Sequence, residues 1–394
     1  MSKLSVEDLD LKNKRVLMRA DFNVPLKEGK ITDDTRIRAA LPTIEYILGK
    51  GASLILMSHL GRPKGKVIEE MRLDPVARRL EELLGKKVVK LDDCVGEEVK
   101  KTVRMMKPGD IVLLENLRFH KEERENDPQF SKELADLADV FVNDAFGTAH
   151  RAHASTVGVA KFLPAAAGLL MRKELEVLGK ILTKPETPFV SILGGAKISD
   201  KIGVLRSLLN RCQDILIGGG MAYTFLKAKE IPVGRSLCED DKIDEAKKIM
   251  KEASLKGCKI HLPLDHIIAK EAKKGMETKV VGQDEIPSDW IALDIGPKTV
   301  QLFGEVVHKA RTVFWNGPMG MFEIEDFTKG TEAIAKMLAE SEAKTIVGGG
   351  DSIAALRKIG LEKRMTHTST GGGASLEFLE GKILPGVKAL SDKE

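Results

Sequence analysis

Short apolar runs rich in Val, Ile and Leu recur along the chain, each breaking off into a polar or glycine-rich stretch that leads into residues with helical period. The first half carries "RVLMRADFN", "SLILMSHLGR", "IVLLENLRF" and "VFVNDAFG"; the second carries "PFVSILGGAK", "DILIGGGMA", "KIHLPLDHII", "TVFWNGPMG" and "KTIVGGGDS". Between them, "DDTRIRAALPTIEYILGKG" and "DKIDEAKKIMKEASLKG" read as helices that close on glycine. Strand, helix and return in that order predict βαβ units in parallel sheets, with right-handed crossovers and ligands beyond the carboxyl ends of the strands. Every polar stretch quoted lies at such an end.

At 394 residues the chain suits two domains rather than one. A predicted helix over 165–182 runs into "TKPETP", where two prolines and a loss of apolar period mark a break. The expected architecture is α/β, with two doubly wound parallel-sheet (Rossmann-like) domains joined by a long helix and hinge, and a cleft between them. Residues 1–170, with a C-terminal tail from about 380 to 394, form one domain, 171–185 the link, and 186–379 the other.

Composition narrows the classes. Hydrophobic residues make up 42% and charged residues 31%, as in a soluble globular protein. The net charge of +4 supplies no field for DNA or an acidic membrane, and no basic block is interleaved with aromatics, so nucleic acid is not an expected partner. Cys94, Cys212, Cys238 and Cys258 are scattered without a CxxC pair, which fits thiols in a reducing cytosol. No apolar run approaches a membrane span and the N-terminus has no apolar signal core, so the expected location is cytoplasmic, with no membrane contact.

The strand ends of the two halves differ in chemistry. The first half offers Asp21, Asn23, Arg36, His59, Arg62, Arg118, His150, Arg151 and His153. Any one arginine is as well explained by a surface salt bridge. Several at strand ends suit a small, multiply charged anion, because guanidinium forks bind carboxylate and phosphate bidentately. Gly61 and Pro63 in "SHLGRPKG" predict a tight turn that fixes His59 and Arg62.

The second half offers glycine clusters at "LGGAK", "IGGG", "VGGGDS" and "STGGGAS", which let backbone N–H groups and helix N-termini approach phosphates. None is a Walker loop or a dinucleotide fingerprint. Asp351 follows three glycines and suits either Mg²⁺ or a helix N-cap. Lys197 and Lys201, four apart, are expected on one face of a helix after "LGGAK", directed at the same phosphates.

The stretches "RADFNVP", "HLGRP", "LENLRFH", "VNDAFGTAHRAHAS", "LGGAKISDK", "WNGPMGMFE", "VGGGDS" and "STGGGASLEFLEG" resemble, in order and over nearly the whole chain, the signatures of the phosphoglycerate kinase family. The resemblance implies reversible phosphoryl transfer between 1,3-bisphosphoglycerate with ADP and 3-phosphoglycerate with ATP, assisted by Mg²⁺. It implies that Asp21, Asn23, Arg36, His59, Arg62, Arg118 and Arg151 hold 3-phosphoglycerate, the first two through its 2-hydroxyl. It implies that Lys201, Ala292, Glu323 and the stretch Gly350, Asp351, Ser352 and Ile353 contact the nucleotide, with Asp351 at the metal. Many family members have glycine where this chain has Ala292.

A carboxylate acceptor is already ionised at neutral pH, so this reaction needs no general base. What it needs is stabilisation of charge on the phosphoryl group, assigned here to Arg36, Lys197, Mg²⁺ and the backbone amides of Gly371 and Gly372. Transfer is expected to be in line, after closure of the two domains has excluded water, in a monomer. The hinge candidates are the helix 165–182, "TKPETP" and "STGGG". The competing readings are an NAD-dependent oxidoreductase, which requires a ribose-binding acid at dinucleotide-fold spacing, and a non-catalytic nucleotide-binding protein.

Overall fold

A computed structural model of the chain describes residues 3–393; residues 1, 2 and 394, the outermost ends of the expected first domain, lie outside that range. The chain divides into two compact units, Met1–Glu176 with Ile383–Glu394, and Val177–Lys382. Each is described by itself.

The first unit is built on six parallel strands: β1 (Arg15–Arg19), β2 (Ser53–Met57), β3 (Val88–Lys90), β4 (Ile111–Leu113), β5 (Val140–Asn143) and β6 (Ala165–Ala167), in the spatial order β3-β4-β2-β1-β5-β6. The apolar runs are nearly continuous because helices cover both faces of such a sheet. Val16, Met18, Leu54, Leu56 and Val142 pack with Ile37, Ile44 and Ile47 of helix α1 (Thr35–Gly49) in one buried cluster. Each such side chain contributes roughly 1.5–3 kcal/mol by leaving water. The chain winds outward from β1 toward β3 and then crosses to β5, so the winding reverses between β1 and β5, where a doubly wound sheet opens its crevice.

The predicted helix over 165–182 starts later than expected. Ala165–Ala167 pairs with β5 as an edge strand, and helix α2 runs Leu169–Thr183. The buried carboxylate of Asp144 sets that start, since its Oδ1 accepts the N–H groups of Leu170 (2.9 Å) and Met171 (3.1 Å). Gly168 lies so close that a Cβ there would sit 2.1 Å from the same oxygen.

The second unit repeats the winding with β7 (Phe189–Leu193), β8 (Asp214–Ile217), β9 (Lys259–His261), β13 (Thr312–Asn316), β14 (Lys344–Gly348) and β15 (His367–Thr368), in the order β9-β8-β7-β13-β14-β15. Its reversal falls between β7 and β13. The strands β10 (Asp265–Ala269), β11 (Lys279–Gly282) and β12 (Ile291–Ile295) form a separate antiparallel sheet, which the parallel expectation did not include. Pro263 breaks "KIHLPLDHII" into β9 and β10, because proline cannot donate to a continuing ladder. The short helices that bear on the second site are α3 (Ile202–Leu208), α4 (Met221–Ala228), α5 (Gly350–Lys358) and α6 (Gly373–Leu379). Among the described residues no helix is long and apolar enough to cross a membrane, and all four cysteines are free.

Candidate functional sites

In the first unit the polar residues that follow β1, β2 and β4 form one hydrogen-bonded set. Arg36, in the first turn of α1, forms a salt bridge with Asp21, whose side chain is largely buried. Asp21 Oδ1 also accepts the N–H of Asn23 (3.3 Å), and Asn23 Oδ1 accepts the N–H of Gly61 (2.8 Å). Asn116 secures the same turn. Its Oδ1 accepts the N–H of Leu60 (3.2 Å) and of Arg118 (3.1 Å), and its Nδ2 donates to the carbonyls of Leu60 (2.8 Å) and Met71 (2.9 Å). Arg118 Nη1 then donates to the carbonyl of Gly61 (2.8 Å), while its buried Nε has no partner and remains an unfilled donor.

Beside this set opens a cavity of about 900 Å³, lined by Arg62, Lys64, Arg118, Lys121, Arg124 and Arg151 with Gly65, Glu125 and His153. Six cations face one carboxylate there, which favours an anion of more than one charge. Arg62 and Arg151 are exposed, and Arg151 Nε donates to Nε2 of His150 (3.1 Å). Arg118 is buried, and burial, then the charges of Arg19 and Arg151, lower its pKa to about 10. His153 is lowered to about 3, by burial first and then by Arg118, Arg19 and Arg151. Its Nδ1 lies 3.7 Å from Glu123 Oε1, but a neutral imidazole makes no ion pair there. Burial and neighbouring guanidinium groups hold His59 well below its usual range as well. The positive charge of this cavity therefore resides on arginine and lysine.

Sequence reasoning placed Asp21, Asn23, Arg36, His59, Arg62, Arg118 and Arg151 here, and the structure brings them into one region. It missed Lys64, Lys121 and Arg124. Lys121 and Arg124 occupy the short helix Lys121–Glu125, and their three-residue spacing puts them on one face. Glutamates between and beside them masked that signal.

The second unit has a smaller cavity of about 330 Å³. Gly195 and Ala196 after β7, Gly219, Gly220 and Tyr223 after β8, residues 291–293 of β12 and residues 318–321 after β13 enclose it, with Leu237, Glu323 and Asp351. The walls are mainly backbone and apolar side chains, a surface for a flat heterocycle, and two exposed carboxylates stand at its edge.

The glycines here act differently from expectation. The N–H of Gly194 donates to the carbonyl of Asn316 (3.0 Å), that of Gly195 to Pro318 (2.9 Å) and that of Gly219 to Met319 (2.9 Å). Those amides join the loops to one another instead of facing a ligand. A Cβ at Gly194 would lie 2.1 Å from the Pro318 carbonyl oxygen, so close passage of two backbones requires glycine there. Amides free of an intrahelical acceptor occur instead in the first turn of α5, at Gly350, Asp351 and Ser352. The N–H of Ile353 already donates to Gly349 (3.2 Å), and its side chain belongs to the core. The Ser352 hydroxyl accepts the N–H of Gly317 (2.7 Å). Ahead of α6, the N–H of Gly371 donates to Ser369 Oγ (3.2 Å), and Gly372 is the N-cap.

Lys197 and Lys201 do not share a helical face, because α3 begins only at Ile202 and a turn closed by the Lys201 N–H on Ile198 (2.8 Å) precedes it. Lys197 is exposed, next to Ala196 on the cavity wall. Lys201 is buried and its Nζ donates to Asn316 Oδ1. Burial lowers its pKa to about 8, against the opposing pull of Asp200 and Asp351. Asn316, at the end of β13, went unselected in the sequence; its Nδ2 is buried without a partner, beside Gly349. Asp351 is not the N-cap of α5, a place that Gly349 takes; it is exposed in the first turn. The N–H of Ala292 donates to Ser236 Oγ (3.0 Å), so this residue offers the cavity its surface and not that amide.

The chain resembles known proteins over nearly its whole length. The family model described as phosphoglycerate kinase matches residues 6–382. Curated proteins named phosphoglycerate kinase from Pelotomaculum thermopropionicum and Moorella thermoacetica are each 60% identical over 393 residues, covering 100% of this chain and 100% of theirs. The solved structure of phosphoglycerate kinase from Coxiella burnetii superposes with a TM-score of 0.90 at 45% identity, and that from Pyrococcus horikoshii OT3 with 0.86 at 35%; each covers 98% of both chains.

Proposed function

The chain belongs to the phosphoglycerate kinase family, and from that premise we propose how its residues divide the family's reaction, the reversible transfer of a phosphoryl group between 1,3-bisphosphoglycerate with ADP and 3-phosphoglycerate with ATP. That relationship does not favour the oxidoreductase or the non-catalytic reading. The observation that carries the division is the contrast between a cavity faced by six cations in one unit and a largely apolar, backbone-walled cavity in the other.

The first unit holds the phosphoglycerate. Arg62, Arg118 and Arg151 take its phosphate, with Lys64, Lys121 and Arg124 adding charge. Asp21 and Asn23 hold the 2-hydroxyl. Asn23 keeps its Nδ2 for this purpose, since its Oδ1 is committed to Gly61. Arg36, oriented by Asp21, faces the carboxylate and the phosphoryl group that joins it. The second unit holds the nucleotide, with the base against Ala292, Leu293 and Met321, Glu323 at the edge, and the phosphates near Lys201 and the first turn of α5.

One exposed carboxylate, Asp351, beside a site for phosphate oxygens, is the donor set that Mg²⁺ uses, with water completing the shell. The ion would supply charge neutralisation between phosphate oxygens. The nucleophile is an ionised carboxylate, so no residue here has to remove a proton. Arg36, Lys197 and the amide of Gly372 stabilise the charge of the phosphoryl group as it moves, the Gly371 N–H being held by Ser369, and the two bound ligands must come into line with water excluded. Lys197, exposed and adjacent in sequence to Ala196 of the cavity wall, supplies its charge to that group. The enzyme is taken to act as a cytoplasmic monomer on freely diffusing metabolites.

The test is ADP formation from ATP that depends on 3-phosphoglycerate and on added Mg²⁺. Turnover that ignores 3-phosphoglycerate would contradict the assignment.

A further inference from the structure

We propose that Arg19 is a positioning residue that holds His59 in the neutral tautomer protonated on Nε2, so that this imidazole meets the anionic ligand only as a fixed hydrogen-bond donor. For the identity of that ligand the proposal rests on the phosphoglycerate reading above; for the tautomer it does not.

Arg19 is the last residue of β1, fully buried, and has no acceptor atoms of its own. A chain of hydrogen bonds fixes its plane. The carboxylate of Glu123, also fully buried, accepts the hydroxyl of Ser155 on Oε1 (2.7 Å) and the N–H of Ser155 on Oε2 (3.0 Å). With its one proton committed to Glu123, the Ser155 hydroxyl must accept from Arg19 Nε, 2.8 Å away. Arg19 Nη1 donates to the carbonyl of Ala20 and to Ser58 Oγ (3.5 Å). Nη2 is left directed at His59 Nδ1, 3.0 Å away.

Because a guanidinium can only donate, His59 Nδ1 must present its lone pair, and the single ring proton must reside on Nε2. A second proton is opposed first by burial of the ring and then by the guanidinium groups of Arg19 from β1, Arg118 from the turn after β4 and Arg36 from α1. His59 is therefore neither a general acid nor a general base in this enzyme. It is a neutral donor whose direction is set from behind by Arg19, 40 residues away in sequence, which is itself held by Ser155, 136 residues from Arg19.

The decisive experiment is imidazole ¹⁵N NMR on the whole protein, with His59 assigned by its disappearance in His59→Gln. The expected spectrum has a pyridine-type Nδ1 and a pyrrole-type Nε2, unchanged from about pH 5.5 to about pH 8.5, where a free histidine would titrate. A proton on Nδ1, an averaged tautomer or a titration near the ordinary value would overturn the proposal. In Arg19→Lys, or in Ser155→Ala should that variant not fold, averaging or titration should appear and 3-phosphoglycerate affinity should fall roughly tenfold and vary with pH, with ADP affinity unchanged. Loss of affinity with the wild-type tautomer retained would make Arg19 merely structural and sink the idea. A correct tautomer in a protein that binds no 3-phosphoglycerate would instead fault the functional reading alone.

Discussion

In the unit of Met1–Glu176 the strand ends present guanidinium and ammonium groups to a cavity of about 900 Å³, whereas in Val177–Lys382 the corresponding ends present packed backbone and apolar walls to one of about 330 Å³. Both sheets reverse their winding at a central pair of strands, β1 and β5 in one and β7 and β13 in the other. The shared topology supplies a crevice, and the residues after each strand decide what enters it. Charged side chains suit a small ligand whose recognition is nearly all electrostatic. Tightly passing loops, made possible by Gly194 and Gly219, suit a larger ligand with an apolar ring.

That contrast can be broken or sharpened by measurement. The largest effect is expected for Lys197→Ala, which should lower kcat by about 10²–10³, as loss of one donor to a developing charge does, with 3-phosphoglycerate affinity nearly unchanged. Activity within a factor of three of the parent enzyme would remove Lys197 from the mechanism. Next comes a pair within the anion cavity. Arg118→Ala, which deletes a buried guanidinium, should weaken 3-phosphoglycerate binding by about 2–4 kcal/mol in calorimetry, and Arg62→Ala, which deletes an exposed one, by under about 1 kcal/mol. Equal losses would mean that burial in the free enzyme does not rank these contacts.

A smaller effect distinguishes the second unit through pH. The Lys201 pKa of about 8 lies below the ordinary 10.5, so across that window the unfolded chain holds more of this proton and stability rises with pH. ADP acts in the opposite sense, because its phosphates favour the charged lysine. Its Kd should therefore rise about tenfold between about pH 7 and about pH 9, and the rise should vanish in Lys201→Met. The smallest change is expected for Ala292→Gly. The N–H of residue 292 is already held by Ser236, so nucleotide affinity should move by less than about threefold.

The α/β class and the two parallel sheets were legible because buried parallel strands leave continuous apolar runs in the sequence, as in "SLILM" and "FVSIL". The antiparallel strands β10, β11 and β12 were hidden: one was fused to β9 in a single run, and Lys279–Gly282 is half-exposed and weakly patterned. At the sites, Arg36, Arg62, Arg118 and Arg151 could be picked out because arginines after strands are conspicuous. Arg19, Ser155 and Glu123 could not, since their connection is purely tertiary. Helical spacing misjudged Lys197 and Lys201, for periodicity does not say where a helix begins. Glycine clusters suggested amides open to phosphates, but which amides remain for a ligand depends on carbonyls far away in the chain, such as those of Asn316 and Pro318.

The most direct test of the division between the units is backbone amide NMR with each ligand added alone. With 3-phosphoglycerate, shifts should be confined to the first unit, around Asn23, Gly61, Arg118 and Arg151. With ADP they should be confined to the second, around Gly220, Leu293 and Gly350. Shifts from both ligands in the same unit would contradict the account.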